Sequence, residues 1–302
     1  PQLKDELRLA APILALALKS NVQLNRIDRA TQVIKALQAL QSDKSGDGGT
    51  TAILGQLVTL ISQQIDELRK KGDKEALKKA QAGFTTILNE VAGGQKKPTP
   101  KLAYLLAKCY AGMDDHKKAA NLLKTFASQT VTAEAGPDVQ LHRAIQLLQI
   151  QELRQLKQTD QASKLLEGIM TGKDGKPGWG VKDLEAQKQR IMLMEDKEEY
   201  ALAAKLCDRF ITQLIRRLED NKLKEQYFDF YYHLVYCILK NGQGLSSPEQ
   251  KAKAIKNAAE RILNLEKKHN GFGSEESKKR FENLLEKETD LRDQYDALKG
   301  SK

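Results

Sequence analysis

Aromatic residues make up only 5% of this 302-residue sequence, and it contains three cysteines. Cys109, Cys207 and Cys237 lie far apart, so no two have the close spacing of zinc ligands, and an odd number does not suit a disulfide framework. Each cysteine lies among apolar residues with helical spacing, which predicts three small core side chains. The β-branched runs typical of strands are also scarce, so the sequence does not favour a sheet.

Long hydrophobic runs are missing as well. The longest, Leu9 to Leu18, is interrupted by Pro12 and is shorter than the roughly 20 residues that span a bilayer. Asp5 and Glu6 stand where a secretory leader would be basic, so we interpret this run as a packed helix. The chain begins with Pro1, and we expect that an N-terminal targeting signal is missing from it. The compartment stays open, with the cytoplasm favoured.

Charged residues, by contrast, make up 30% of the sequence, with a formal net charge of +10. Both signs are interspersed, as in the stretch Asp66 to Lys70, and such mixing is typical of solvated helix faces. The positive balance is compatible with an acidic protein, a nucleic acid or an anionic membrane surface, and it selects none of them.

Apolar residues recur with helical spacing along almost the whole chain. Segments rich in Gly, Pro, Asp and Asn interrupt this spacing at 42–49, 71–73, 93–94, 96–100, 134–137, 171–180, 241–244 and 269–273. Thr50 or Thr51 is predicted to cap the helix after the first break. Short links favour antiparallel hairpins, so we expect about six helix pairs and one highly charged terminal helix after Ser274.

The clearest hairpin combines two short patterns. Its first helix carries Leu106, Ala107 and Tyr110, and its second carries Ala119, Leu123 and Phe126. A close helix crossing requires a side chain no larger than alanine, and large apolar residues one and two turns later fill the groove. This unit resembles a tetratricopeptide repeat, a family of stacked helix hairpins.

The trio of one small and two large residues recurs along the chain. Copies occur at Ala30–Ile34–Leu37, Ala162–Leu166–Ile169 and Ala203–Cys207–Phe210. A weaker copy is centred on Ala76, followed by Ala80 and Gly83, and the region around Ala254 fits poorly. The copies lie about 43 residues apart, against about 34 in the family, so HEAT and armadillo repeats remain alternatives.

Together these patterns predict an all-α fold: a right-handed solenoid of about six antiparallel hairpins with a C-terminal capping helix. We expect a single domain over residues 1–302, with a candidate sub-boundary near 171–180.

Each candidate catalytic or metal-binding motif in the sequence is outweighed by a structural interpretation. A calcium loop beginning at Asp43 fails because Leu54 stands where a bidentate glutamate is required. Asp229, His233 and Cys237 are spaced one helical turn apart and could share a metal, as could Asp138 with His142, but surface pairing beside a packed cysteine is preferred. His116 beside Asp114 and Asp115 is interpreted as part of a solvated turn. We therefore predict a non-enzymatic protein without cofactor or metal.

Two aromatic features remain ambiguous from sequence. Trp179 lies in a glycine-rich break, and a plug at the end of a hairpin is preferred to a binding anchor. The aromatic stretch from Tyr227 to His233, with Tyr236 one turn later, predicts a thick buried helix, and the alternative is an aromatic groove for a peptide.

The resemblance implies that the first helices of the hairpins line a concave binding surface. The candidate partner-binding residues are Lys101, Tyr104, Lys108, Gln151, Arg154, Lys188, Met192 and Trp179. Such a mildly basic groove suits an acidic peptide or protein. The expected function is a protein-binding scaffold or adaptor, with self-association open. The alternatives are an RNA-binding helical-repeat protein, or an accessory domain of a larger enzyme or assembly.

Overall fold

The computed structural model describes residues 13–22, 24, 26–41, 48–92, 98–129, 136–172 and 176–300. Within these ranges fourteen α-helices are joined by turns, and the only extended pairing is an isolated bridge between Thr171 and Pro177. The predicted all-α class is therefore confirmed. The rejected calcium loop lies partly outside the described residues.

In chain order the helices are α1 (residues 13–22), α2 (Ile27–Gln41), α3 (Gly48–Lys71), α4 (Lys74–Ala92), α5 (Pro100–Gly112), α6 (His116–Ala127), α7 (Pro137–Gln155), α8 (Thr159–Met170), α9 (Leu184–Asp196), α10 (Tyr200–Leu214), α11 (Asn221–Gln243), α12 (Pro248–Lys268), α13 (Glu275–Lys287) and α14 (Thr289–Gly300). Short 3-10 turns occur at Trp179–Val181 and Ile215–Arg217. Because α3 begins at Gly48, the predicted capping residues Thr50 and Thr51 lie inside the helix.

The chain divides into two compact units, residues 1–165 (unit 1) and residues 166–302 (unit 2). Each unit has its own hydrophobic core. The boundary falls within α8, ahead of the sub-boundary expected near 171–180, and the single domain over 1–302 stays a prediction. Cys109 lies in the core of unit 1, and Cys207 and Cys237 in that of unit 2, which confirms their predicted role. Among the described residues no helix has the length and apolar character to cross a bilayer.

The corners between paired helices share one backbone geometry. A residue with positive φ follows the first helix of four hairpins: Gly72 (69°), Asp114 (63°), Lys157 (58°) and Glu198 (61°). In the last three corners the next backbone N–H donates to the carbonyl five residues earlier, as Asp115 does to Tyr110 at 2.9 Å. The corners lie 42, 43 and 41 residues apart, in agreement with the predicted repeat length.

Small residues lie where the paired helices cross. Ala30, Ala119, Ala162 and Ala203 are fully buried, and each is the fourth residue of its helix. Their large partners are buried too, apart from half-buried Phe126. These four trios are confirmed, and the hairpins are tetratricopeptide-like in this respect.

The register predicted for α4 is wrong. Ala76 is half-buried, and the buried trio is Ala80, Phe84 and Ile87. In α12 the trio is Ala258, Ile262 and Leu265, one turn after Ala254. Both helices follow unusually long first helices, α3 with 24 residues and α11 with 23. The crossing therefore lies farther from the corner, at the seventh residue of α4 and the eleventh of α12.

The terminal segment contains two helices, α13 and α14, where the sequence predicted one capping helix. They are separated at Glu288, whose carboxylate accepts hydrogen bonds from Lys240 Nζ (2.6 Å) and Gln243 Nε2 (2.7 Å) on α11. Phe281 and Leu291 are fully buried, so each helix has an apolar inner face. The dense surface charge of this segment concealed those faces in the sequence.

Candidate functional site

The first helices of successive hairpins pack side by side within each unit. In unit 1, α5 lies between α3 and α7, and in unit 2, α11 lies between α9 and α13. The second helices α6, α10 and α12 pack against this layer. The predicted binding residues Lys101, Tyr104 and Lys108 thus belong to the layer of unit 1.

Local sequence defines the start of α5. Thr99 precedes the helix, its hydroxyl accepts a hydrogen bond from the Leu102 N–H at 3.4 Å, and Pro100 occupies the first turn. Leu102 and Leu106 are buried in the core of unit 1. The opposite side of the helix is left toward solvent.

The solvent side of α5 carries Lys101, Tyr104 and Lys108. Both lysines are exposed, Tyr104 is half-buried, and Lys108 Nζ lies 5.7 Å from the Tyr104 ring centroid. Burial raises the pKa of Tyr104, so its hydroxyl stays protonated at neutral pH. The sequence of α5 contains no Asp or Glu. Among the described residues, neither lysine has a carboxylate within ion-pair distance.

The two candidates on α7 differ in exposure. Gln151 is exposed beside the α5 layer, whereas Arg154 is only 6% exposed. Arg154 therefore offers little surface to a partner, contrary to its predicted role. α7 contacts both α5 and α6, and its polar residues Gln149 and Glu152 are likewise buried.

His116 lies at the start of α6 and belongs to a buried contact instead of the solvated turn that we expected. Its Nδ1 lies 2.8 Å from Oε2 of Glu152, whose side chain is fully buried. Burial raises the pKa of Glu152, and the hydrogen bond and charge of His116 oppose part of that rise. This pair joins α6 to α7.

On α9, Lys188 is engaged inside unit 2. Its Nζ donates to Asp229 Oδ2 at 2.9 Å and lies 3.5 Å from Glu185. Burial alone would lower the pKa of Lys188, but the charges of Glu185 and Asp229 outweigh it and raise that pKa. Arg280 also donates to Asp229, and its guanidinium lies 4.2 Å from the Tyr232 ring centroid. The candidate partner-binding residue Lys188 is thus held by carboxylates inside unit 2.

The one-turn series Asp229, His233 and Cys237 does not form a joint site. Asp229 faces Lys188, whereas His233 Nδ1 lies 2.8 Å from Glu195 Oε1 and Cys237 Sγ donates to that oxygen at 3.2 Å. Over the described part of the chain, no three His, Cys, Asp or Glu side chains are grouped to hold a metal ion.

The last two candidates are half-buried. Met192 lies on α9, and Trp179 lies in the 3-10 turn before it. This turn is fixed by Gln187, whose Nε2 donates to the carbonyls of Gly180 (3.2 Å) and Val181 (2.9 Å). The arrangement places Trp179 in an ordered loop packed on unit 2.

Most of the aromatic stretch on α11 belongs to the core. Tyr227, Phe228 and Phe230 are buried, and Phe230 stacks on Phe210 with ring centroids 5.0 Å apart. Tyr232 and Tyr236 are half-buried. The predicted thick buried helix is therefore confirmed for Tyr227, Phe228 and Phe230.

Comparison with known proteins gives one structural likeness. No family model matches the chain, and no curated protein does. A solved structure titled as a tetratricopeptide repeat protein from Parabacteroides merdae is similar, with 16% identity and a TM-score of 0.39. The alignment covers 90% of this chain and 98% of that one. A TM-score of this size carries no inference about function.

Proposed function

We propose that this protein is a non-enzymatic scaffold that binds an acidic segment of a partner protein on the α5 face, defined as Lys101, Tyr104 and Lys108. The observation that carries the proposal is that two exposed lysines, which no carboxylate of the described residues approaches within ion-pair distance, flank a half-buried tyrosine. A cation that is already exposed and unpaired loses no internal ion pair when it binds a carboxylate.

The spacing of the face specifies the ligand. Lys101 and Lys108 are two helical turns apart, a distance of about 10.5 Å at 1.5 Å per residue. Three residues of a peptide in the polyproline II conformation cover about 9 Å, and because that helix has three residues per turn, side chains three positions apart lie on the same side. We therefore expect two acidic residues three positions apart, with an apolar residue between them that contacts the Tyr104 ring.

The corresponding helices of unit 2 are less suited to an acidic ligand. Lys188 and Arg280 both hold Asp229, and Lys240 holds Glu288. A partner carboxylate would have to displace these internal carboxylates. We accordingly assign the ligand to unit 1, with exposed Gln151 as a neighbouring contact on α7.

The test is a selection from a random peptide library displayed on phage. Wild-type protein is expected to recover peptides with the acidic pair, and the K101E/K108E variant is expected to lose them. A matched variant, K117E/K124E, makes the same charge change at exposed lysines of α6 and should recover the wild-type set. Peptides without acidic residues, or the same set from wild type and K101E/K108E, would contradict the proposal.

A further inference from the structure

The second helix α10 presents a basic face to solvent. Ala203, Cys207 and Phe210 fix its buried side. Lys205 and Arg209 lie on the other side of the helix. On a helix of 3.6 residues per turn, Leu202, Lys205 and Arg209 lie within about 60° of one another. The 3-10 turn that continues α10 adds exposed Arg216 and Arg217. These four cations together with Leu202 are called the α10 face.

The four cations of the α10 face are not neutralised internally. In the described ranges no carboxylate lies within ion-pair distance of Lys205, Arg209, Arg216 or Arg217. Among the neighbouring acids, Asp208 lies 3.8 Å from Arg261, Asp220 accepts the backbone N–H of Lys222 at 2.9 Å, and Glu219 is exposed. The face is therefore free to attract an anionic surface.

Exposed aliphatic side chains accompany this charge. Leu202, on the same side of α10 as the cations, is 54% exposed, and Ile215, about 140° around the helix from Leu202, is 48% exposed. The aromatic residues of α10 are turned into the fold, since Phe210 stacks on Phe230 and Tyr200 meets the edge of Tyr236. Single-stranded nucleic acid is bound by stacking bases on exposed aromatic rings, and this face offers aliphatic groups instead. Cations beside exposed aliphatic side chains suit a lipid headgroup layer.

We propose that the α10 face binds the surface of a membrane rich in anionic lipids. The four cations lie against the lipid phosphates, and Leu202 enters the boundary between headgroups and acyl chains. The α10 face is in unit 2, so the proposal does not depend on the peptide-binding function assigned to α5.

Vesicle co-sedimentation at low salt tests this. Full-length protein is mixed with phosphatidylcholine vesicles that contain either no anionic lipid or about 30% phosphatidylglycerol. Wild-type protein should sediment with the anionic vesicles only. Each cation near the surface is worth about a fivefold change in partition coefficient, so K205E/R209E should lower partition at least about tenfold. Circular dichroism confirms that the variant is folded.

The control is K117E/K124E, which makes the same charge change on α6, where no large apolar side chain is exposed. Its partition should fall less than about threefold. Leu202→Ala should lower partition at unchanged charge. Equal losses for the two charge variants, equal sedimentation with neutral vesicles, or an unaffected Leu202→Ala would overturn the proposal. Tighter binding of a single-stranded RNA, lost in K205E/R209E, would overturn it in favour of nucleic acid.

Discussion

Lys188 Nζ donates to Asp229 Oδ2 across 2.9 Å, joining α9 to α11. Lys188 is a candidate partner-binding residue in the sequence. In the structure, this contact instead uses it to join two helices within unit 2. The side chains of Lys188 and Asp229 are each about a quarter exposed, so the pair is partly shielded from water. Lys101 on α5, by contrast, has no ion-pair partner in the described part of the chain, and this difference assigns the proposed ligand to unit 1.

Substitution of Asp229 by alanine is expected to destabilise unit 2. Arg280 loses its carboxylate and Lys188 keeps only the longer contact to Glu185, which should cost about 1–3 kcal/mol of unfolding free energy. Urea unfolding followed by Trp179 fluorescence measures this in unit 2. Asp208→Ala removes an exposed ion pair with Arg261 at 3.8 Å and should lower the unfolding free energy by less than about 1 kcal/mol. Equal losses of unfolding free energy for Asp229→Ala and Asp208→Ala would show that the contacts of Asp229 stabilise unit 2 no more than an exposed ion pair does.

A second pair of variants tests the corrected register of α4. Ala80 is 1% exposed at the helix crossing, so Ala80→Leu inserts methylenes where no space exists and should cost about 1–3 kcal/mol. Ala76 is half-buried, and Ala76→Leu should change stability by less than about 1 kcal/mol. Chemical denaturation of both variants decides the register. A larger loss of unfolding free energy for Ala76→Leu than for Ala80→Leu would support the register of α4 that the sequence predicts.

The sequence was informative where contacts are local and uninformative where they are distant. Ala119 and Leu123 were placed correctly because a small residue and a large one a turn later are required at any close crossing. The register of α4 is ambiguous in the sequence because α4 is rich in small residues, and the length of α3 moves the crossing from Ala76 to Ala80. The pairing of Lys188 with Asp229 joins residues 41 positions apart, and helical periodicity carries no signal for it.

The loop that holds Trp179 requires a glycine at position 178. A Cβ there would lie 2.3 Å from the Ile169 carbonyl oxygen, a backbone atom that cannot move cheaply. Gly178→Ala should therefore lower unfolding free energy by about 1–3 kcal/mol and change the Trp179 emission. In α8, Gly168 has open space around it, so Gly168→Ala should stabilise by about 0.5–1 kcal/mol. Thermal unfolding of both should give opposite shifts, and shifts of the same sign would contradict the packing described.

Glu152 should make stability depend on pH. Burial holds its folded-state pKa above the ordinary value of about 4.3, with His116 opposing part of the rise. Its contribution is therefore greatest below about pH 4 and is lost as pH rises through the higher folded pKa. Glu152→Gln keeps an acceptor for His116 without a charge. Its stability relative to wild type should rise between about pH 4 and pH 7. Chemical denaturation at several pH values measures the difference in unfolding free energy between Glu152→Gln and wild type. A difference that does not change with pH would contradict the prediction.

Isothermal titration of a peptide with two glutamates three positions apart around a leucine tests most directly whether the α5 face binds an acidic segment. Wild-type protein and K117A/K124A should bind it equally. K101A/K108A should bind about tenfold more weakly, because each exposed lysine contributes about 0.5–1 kcal/mol. Affinities of wild type and K101A/K108A within about twofold of each other would remove the ligand from the α5 face.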